Sequence, residues 1–174
     1  MQIDILGSLT YVKGDATSPI GQGSKILAHV VNTVGKWGAG FTRALDSKWR
    51  KPSEYYQSWY KQKTTRPGRN DGTRFKLGSV QHCSVGEHLW VVNMIAQVGV
   101  RSRAAAEAGA PPPIRYKALR ECLSTVCDCA IRASASVHMP RIGCGLAGGE
   151  WSQVEQIIKE TLVDRGVHVV VYDL

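Results

Sequence analysis

The residues best suited to chemistry form one glycine-rich segment, Met139-Pro-Arg-Ile-Gly-Cys-Gly-Leu-Ala-Gly-Gly-Glu-Trp151. A β-rich run, residues 136–139, leads into it, and a helical pattern begins at Trp151. Glycine lets the backbone adopt positive φ angles and approach a ligand closely. A helix that begins here adds unpaired N–H groups and the positive end of its dipole, which attract an anion. The segment therefore predicts a phosphate-binding loop between a strand and a helix.

The same glycines allow a second interpretation, because Gly143, Gly145 and Gly148 satisfy the dinucleotide-binding spacing G-x-G-x-x-G. A dinucleotide fold needs further strand–helix–strand units after this loop. Only one strand-like run, residues 167–172, follows it in the sequence. The dinucleotide interpretation is therefore the weaker of the two.

A second glycine-rich segment, Gly35-Lys-Trp-Gly-Ala-Gly40, follows residues 26–32, which form a nearly continuous apolar run. Such a run is typical of a strand that is buried on both faces. In open α/β sheets, ligands bind beyond the carboxyl ends of the strands. Two glycine loops that meet at this edge would suit a ligand with two phosphates.

The elements that must position these loops alternate between strands and helices. Strand patterns cover residues 9–13, 26–32, 78–83, 89–97, 136–141 and 167–172, and helical patterns cover residues 41–49, 54–63, 114–133 and 151–164. Ser53 is the expected N-cap of the second helix. Irregular insertions are expected near residues 64–74 and 101–113. This order predicts one three-layer α/β/α domain over residues 1–174, with a mixed, mostly parallel central sheet.

The composition is that of a soluble globular domain, with 43% hydrophobic and 21% charged residues in 174. No run approaches the roughly 18 apolar residues of a membrane span, and the first residues lack the features of a secretory signal. The five cysteines are an odd count that favours a reducing compartment, so we expect a cytoplasmic protein. We also expect a monomer. No cysteine pairs with a histidine at a zinc-site spacing, so we expect no metal ion.

Five motifs, in order along the chain, carry a family resemblance. They are Val12-Lys-Gly-Asp-Ala-Thr17, Asn32-Thr-Val-Gly-Lys-Trp-Gly-Ala-Gly40, Asn93-Met-Ile-Ala-Gln97, Met139-Pro-Arg-Ile-Gly-Cys-Gly145 and Val171-Tyr-Asp-Leu174. Together they resemble the macrodomains, a family that binds ADP-ribose. The similarity is strongest to the branch that contains the macrodomain of a poly(ADP-ribose)-activated chromatin remodeller, the terminal ADP-ribose protein glycohydrolase and the ADP-ribose-1″-phosphate phosphatases. The macrodomain of a bacterial antitoxin against DNA ADP-ribosylation is similar too.

The resemblance implies that ADP-ribose binds at the C-terminal edge of the sheet. Asp15 would accept a hydrogen bond from the adenine amino group, and Tyr172 would pack near the adenine. Asn32 and the loop from Gly35 to Gly40 would line the distal ribose and one phosphate, and backbone N–H groups from Gly143 to Leu146 would bind the diphosphate. The other residues of the implied site are Ala16, Trp37, Gly38, Ala39, Gly40, Gln97, Arg141, Cys144, Gly145, Leu146 and Ala147.

Three of these residues also have ordinary structural explanations. Asp15 suits a local turn in which its carboxylate accepts backbone hydrogen bonds. Tyr172 suits the apolar core of a strand, and Trp37 could brace its loop instead of flanking the ribose. Both interpretations of each residue stay open at this point.

Two departures from the glycohydrolase bear on catalysis. Gln97 stands where that enzyme has its lysine, and an amide cannot form a Schiff base. Ala147 stands where it has an acidic residue, so we expect no lysine-dependent release of ADP-ribose. The weak catalytic candidates that remain are Glu150 and Cys144. Glu150 also suits the first turn of the following helix, and Cys144 would need a thiolate favoured by a helix N-terminus.

A basic region lies between Lys48 and Lys76, with nine Lys or Arg against Glu54 and Asp71, in a chain of net charge +8. It is either a solvated surface or a field that attracts a polyanion such as poly(ADP-ribose) or nucleic acid. Three functions therefore stay open. They are hydrolysis of ADP-ribosylated protein or nucleic acid without a lysine, non-catalytic recognition of ADP-ribose, and removal of phosphate from ADP-ribose-1″-phosphate. No cofactor is expected beyond ADP-ribose itself as ligand or product.

Overall fold

Six strands form one sheet in the computed structural model, which describes residues 6–65 and 74–174. The strands are β1 (Leu9–Lys13), β2 (Lys25–Asn32), β3 (Val80–Gly86), β4 (Leu89–Gln97), β5 (Ser136–Pro140) and β6 (Val169–Asp173). Their order across the sheet is β1-β6-β5-β2-β4-β3. All neighbours are parallel except the antiparallel pair of β3 and β4.

Five α-helices connect the strands: α1 (Phe41–Asp46), α2 (Lys51–Thr65), α3 (Arg103–Glu107), α4 (Tyr116–Ala133) and α5 (Trp151–Thr161). Helices α4 and α5 pack on one face of the sheet, where the largest apolar cluster lies. Helices α1 and α2 cover the other face with two smaller clusters. The predicted three-layer α/β/α fold with a mixed, mostly parallel sheet is confirmed.

Strands β2 and β4 form the centre of the sheet, and most of their residues are buried. Successive side chains point to opposite faces, so Ile26 and Ala28 join the α4–α5 cluster while Leu27 joins the opposite one. Burial on both faces explains why these segments are apolar without alternation. The ends of these two strands, together with that of β5, hold the candidate site.

Several predicted boundaries were wrong by a few residues. Helix α2 begins at Lys51, so Ser53 lies inside it and is not the N-cap. Pro52 is tolerated in the first turn because its missing N–H would have no intrahelical partner there. The first helix ends at Asp46, the third strand is shifted to Val80–Gly86, and a short 3₁₀ turn follows α5.

The insertion near residues 101–113 is not wholly irregular, because it contains α3. The Ser102 hydroxyl accepts a hydrogen bond from the Ala105 N–H at 3.0 Å and caps this short alanine-rich helix. Most of the other predicted insertion, near residues 64–74, lies outside the described residues. No helix in the described ranges is long and apolar enough to cross a membrane.

Candidate ligand-binding site

A cleft of about 490 Å³ opens at the carboxyl ends of β2, β4 and β5. Its size is that of a small-molecule site. It is walled by the two glycine segments, which we call the first glycine loop (residues 35–40) and the second glycine loop (residues 143–149). The predicted site residues that line it are Asn32, Trp37, Ala39, Gly40, Gln97, Arg141, Gly143, Gly145, Leu146 and Ala147.

The remaining predicted residues are not among those that line the cleft. They are Asp15, Ala16, Gly35, Gly38, Cys144, Glu150 and Tyr172. Asp15 and Tyr172 adjoin each other at the same sheet edge, because the Gly14 N–H donates to the Asp173 carbonyl oxygen at 2.8 Å. The Ile20 N–H also donates to the Tyr172 hydroxyl at 3.0 Å. The loop after β1 therefore packs on the end of β6.

The Asp15 carboxylate forms the local turn that its sequence suggested. Its Oδ1 accepts hydrogen bonds from the N–H and the hydroxyl of Thr17, at 2.8 and 2.7 Å. Burial alone would raise the pKa of Asp15, but the Thr17 hydrogen bonds and the charge of Lys48 lower it overall. No bond to Oδ2 occurs within the described ranges, so this oxygen can accept a hydrogen bond from a ligand.

Asn32 holds the first glycine loop with its side-chain amide. Its Oδ1 accepts hydrogen bonds from the N–H groups of Val34 and Lys36, at 3.0 and 3.1 Å. Its Nδ2 donates to the Lys36 carbonyl oxygen at 2.7 Å. Asn32 therefore lines the cleft, but its polar atoms are already used to shape the loop.

Gly35 is required by a close approach within the same loop. Its φ is +68°, and a Cβ built on it would lie 2.4 Å from the ring of Tyr60. A side chain here would be strained and would also overlap with an aromatic ring. The loop can therefore lie against α2 only with glycine at this position.

Trp37 braces its loop, which is one of the two roles that its sequence context suggested. Its Nε1 donates to both carboxylate oxygens of Asp46 at 3.0 Å, and its ring packs edge-on against His29 with centroids 5.4 Å apart. The same side chain lines the cleft. Trp37 thus braces the loop from a position on the cleft wall.

The second glycine loop presents a row of unpaired backbone N–H groups. Its own hydrogen bonds are Gly148 N–H to Gly145 O at 3.0 Å and Gly149 N–H to Gly143 O at 2.7 Å. Within the part of the chain that the structure describes, the N–H groups of Gly143, Gly145, Leu146 and Ala147 have no hydrogen-bond partner, whereas that of Cys144 closes a turn on Arg141. Successive free N–H groups in a tight loop form a concave anion-binding site. This is the arrangement that the sequence predicted for a phosphate.

Among the described residues, three cationic side chains line the cleft and no carboxylate does. They are Lys36, Arg101 and Arg141. Arg141 pairs with Asp173 through two hydrogen bonds of 2.6 and 3.0 Å, and this carboxylate raises the pKa of Arg141. Neither Lys36 nor Arg101 has a carboxylate partner within residues 6–65 and 74–174. The cleft therefore carries positive charge that suits an anionic ligand.

Two buried histidines near the site are neutral. His29 lines the cleft and contacts the Asn93 amide oxygen, and burial lowers the pKa of His29 to about 4. His138 lies between the hydroxyls of Ser136 and Tyr172, at 2.8 and 2.7 Å, and burial lowers the pKa of His138 to about 4. With such a low pKa, each is a weak proton acceptor at neutral pH.

The surroundings of the two weak catalytic candidates, Cys144 and Glu150, suit structural roles. Cys144 is half-buried and packs against the apolar core, and this burial raises the pKa of its thiol. Burial therefore opposes the thiolate that Cys144 would need as a nucleophile. Glu150 is the residue that directly precedes α5, and its carboxylate accepts a hydrogen bond from Gln153 at 3.2 Å. This position suits a negative charge at a helix N-terminus.

Gln97 and Arg101 complete the wall next to β4. The Gln97 amide donates a hydrogen bond to the Gly99 carbonyl oxygen at 3.0 Å and so shapes the turn after β4. Arg101 was missed by the sequence analysis, which treated its segment as an irregular insertion. The only local signal was the N-cap Ser102 before an alanine run. No group of three or more His, Cys, Asp or Glu among the described residues could hold a metal ion.

No protein-family model matches this chain. Among solved structures, a protein of unknown function from Bacteroides thetaiotaomicron is 47% identical with a TM-score of 0.84, over 97% of this chain and 99% of that chain. A macrodomain protein from Streptomyces coelicolor is 42% identical with a TM-score of 0.79, over 96% of this chain and 99% of that chain. The chain therefore belongs to the macrodomain family.

Two curated relatives place this similarity in a wider context. The mouse Chromodomain-helicase-DNA-binding protein 1-like is 32% identical over 168 residues, which are 95% of this chain and 18% of that protein. The chain thus spans less than a fifth of the length of that relative. The ADP-ribose 1″-phosphate phosphatase of Candida albicans is 28% identical over 158 residues, 87% of this chain and 92% of that protein.

Proposed function

We propose that this macrodomain binds ADP-ribose, free or as an ADP-ribosyl group on protein or nucleic acid, in the cleft between its two glycine loops. The observation that carries the proposal is the set of unpaired N–H groups at Gly143, Gly145, Leu146 and Ala147 on the wall of a positively charged cleft. This arrangement suits a diphosphate. The name of the Candida albicans relative, a phosphatase acting on an ADP-ribose derivative, supports the same ligand class.

The adenine would lie toward Asp15 and the distal ribose toward Gln97, with the diphosphate between them. Asp15 has one carboxylate oxygen engaged by Thr17, which leaves Oδ2 for the adenine amino group. Trp37 offers its ring to the opposite part of the ligand. The direction of the ligand is the one that the macrodomain resemblance implies.

Recognition without turnover is the function that the chemistry of this cleft favours. No carboxylate of residues 6–65 and 74–174 lines it, its histidine has a pKa of about 4, and Gln97 and Ala147 replace the lysine and the acid of the glycohydrolase. General acid–base catalysis needs a group that titrates near the working pH. The side chains on this wall bind and orient, but they do not supply a general base.

Calorimetry with ADP-ribose and with adenosine tests the binding function. We expect one site per chain with a Kd of about micromolar order for ADP-ribose, and much weaker binding of adenosine, which lacks the diphosphate. The proposal would be overturned if adenosine bound as tightly as ADP-ribose, or if neither compound bound.

Phosphate release from ADP-ribose-1″-phosphate is a second candidate activity, favoured by the Candida albicans relative. One set of assays tests this activity together with the hydrolytic alternatives. The assays measure the release of phosphate from ADP-ribose-1″-phosphate, and the release of ADP-ribose from glutamate-linked, serine-linked and nucleic-acid-linked substrates. A recognition domain gives no product above the rate without protein. Turnover of any one substrate assigns that activity and removes the non-catalytic interpretation.

A further inference from the structure

Arg101 joins the insertion after β4 to the second glycine loop. Its Nε donates a hydrogen bond to the Leu146 carbonyl oxygen at 3.2 Å, and its Nη1 donates to the Ala110 carbonyl oxygen at 2.7 Å. The residues that it connects are 45 positions apart in the chain. The guanidinium therefore holds the middle of the second glycine loop.

The packing of Gly148 shows how closely the guanidinium lies against this loop. Gly148 has a φ of +74°, and a Cβ built on it would lie 2.3 Å from Nη2 of Arg101. Only a residue without a side chain leaves room for the guanidinium here. The arrangement is thus a specific contact between Arg101 and the loop.

The charge of Arg101 is not compensated within the described residues. Both of its hydrogen-bond partners are neutral carbonyl oxygens, and its Nη2 has no acceptor in the described part of the chain. The side chain is half-buried and lines the cleft. A guanidinium presents several N–H donors in one plane, a geometry that matches phosphate oxygens.

We propose that Arg101 is a ligand-binding residue of this cleft, whose guanidinium contacts the diphosphate bound by the N–H groups of Gly143, Gly145, Leu146 and Ala147. This inference rests on the proposed function. Arg101 would act in two ways. Its bond to the Leu146 carbonyl fixes the peptide plane that carries the Ala147 N–H, and its Nη2 supplies a charged donor to the phosphate.

The test compares Arg101→Gln and Arg101→Lys by calorimetry with ADP-ribose and with adenosine. We expect the glutamine variant to bind ADP-ribose ~10- to 100-fold more weakly, because a charge-assisted hydrogen bond is lost. The lysine variant keeps the charge and should lose only about threefold. Binding of adenosine should change by less than about twofold, because adenosine has no phosphate.

Arg103→Gln is the matched control, since Arg103 is two positions away and pairs with Glu107 at 3.1 Å outside the cleft. This variant should bind ADP-ribose like the wild type. All variants are first compared by thermal unfolding. If the glutamine variants at positions 101 and 103 bind equally well, the inference is overturned. Failure of the wild type to bind ADP-ribose would instead overturn the proposed function.

Salt dependence separates a direct charge contact from a role in holding the loop. For a direct contact, the affinity of the wild type falls as salt rises from about 50 to about 200 mM, and the glutamine variant shows a smaller slope. If the lysine variant binds as weakly as the glutamine variant, and all slopes equal that of the wild type, Arg101 only braces Leu146. That result would overturn the proposed phosphate contact.

Discussion

The Tyr56 hydroxyl donates a hydrogen bond to the Asn32 carbonyl oxygen at 2.7 Å, at the point where β2 ends and the first glycine loop begins. The same hydroxyl lies 2.9 Å from the Asn32 Oδ1, which accepts bonds from two loop N–H groups. Both residues are buried. Helix α2 therefore fixes the end of the strand and the loop through one phenol group.

Removal of this hydroxyl should destabilise the fold and loosen the cleft. We expect Tyr56→Phe to lower the free energy of unfolding by about 1–2 kcal/mol, because buried acceptors on Asn32 lose a donor. Urea denaturation measures this change. Tyr55→Phe is the control, because Tyr55 is 42% exposed, and it should change the stability by less than about 0.5 kcal/mol. Equal effects of the two changes would contradict the account.

Two glycines of the first glycine loop should differ in their tolerance of alanine. Gly35 and Gly38 both have positive φ angles, +68° and +105°, but only at Gly35 would a Cβ meet another atom within 4 Å. Gly38→Ala should therefore cost about 1 kcal/mol of backbone strain. Gly35→Ala should cost about 2–4 kcal/mol, because it adds an overlap with the Tyr60 ring. If the two variants had the same denaturation midpoint, the contact with Tyr60 would be unimportant.

Asp15 offers a test of the adenine end of the site. Asp15→Asn keeps an oxygen for the Thr17 N–H but replaces the second acceptor by an NH₂ donor, so it should preserve the turn and disfavour the adenine amino group. We expect ADP-ribose to bind at least about tenfold more weakly, and unfolding to change little. Calorimetry on the folded variant decides, and unchanged affinity would remove Asp15 from the site.

The stability should depend on pH through the two buried histidines. Burial lowers the pKa values of His29 and His138 from 6.5 to about 4, so the unfolded chain binds more protons between these values. Stability should be full above about pH 6.5 and should fall as the pH decreases toward 4, by up to roughly 3 kcal/mol per histidine. The lowered pKa values of Asp173 and Glu155 affect stability only below about pH 4.5.

Urea denaturation across this pH range measures the effect. His138→Gln should reduce the slope between about pH 6.5 and pH 4.5, since one of the two buried groups no longer titrates. His88→Gln should leave the slope unchanged, because the His88 side chain is 67% exposed. A slope that is the same in all three proteins would contradict the assignment of buried, neutral histidines.

The basic region between Lys48 and Lys76 bears on longer partners, and part of its charge has a structural role. Lys48 donates to the Thr17 carbonyl oxygen at 2.7 Å, and Lys51 donates to that of Ser84 at 2.6 Å. If the region also attracts polyanions, poly(ADP-ribose) should bind more tightly than ADP-ribose at about 50 mM salt, and the advantage should disappear at about 200 mM. If poly(ADP-ribose) and ADP-ribose bound with equal affinity at each salt concentration, the region would be only a solvated surface.

The parts of the fold that could be predicted from the sequence are those with local patterns. The apolar runs of β2 and β4 reveal strands buried on both faces, and the two glycine loops follow their strands as expected. The start of α2 could not be placed, because Pro52 and Ser53 suit either a cap or a first turn. Pattern alone does not distinguish these positions.

The parts of the site that could not be predicted depend on contacts between distant residues. The bond between Arg101 and Leu146 joins two loops that carry no shared pattern in the sequence. The direction of the Cys144 pKa shift depends on packing against the core, although a helix N-terminus in the sequence suggested the opposite. Only the family resemblance made Asp15 a candidate for the site, because the local turn that it forms is by itself a sufficient reason for an aspartate at this position.

If the free N–H groups of Gly143, Gly145, Leu146 and Ala147 bind the diphosphate of ADP-ribose, their amide signals must respond to this ligand. A titration of ¹⁵N-labelled protein with ADP-ribose, followed by amide chemical shifts in NMR spectra, measures the response. We expect the largest shifts on these four residues, and we expect adenosine to leave their signals in place. If ADP-ribose binds and these four signals do not move, the second glycine loop is not the diphosphate site.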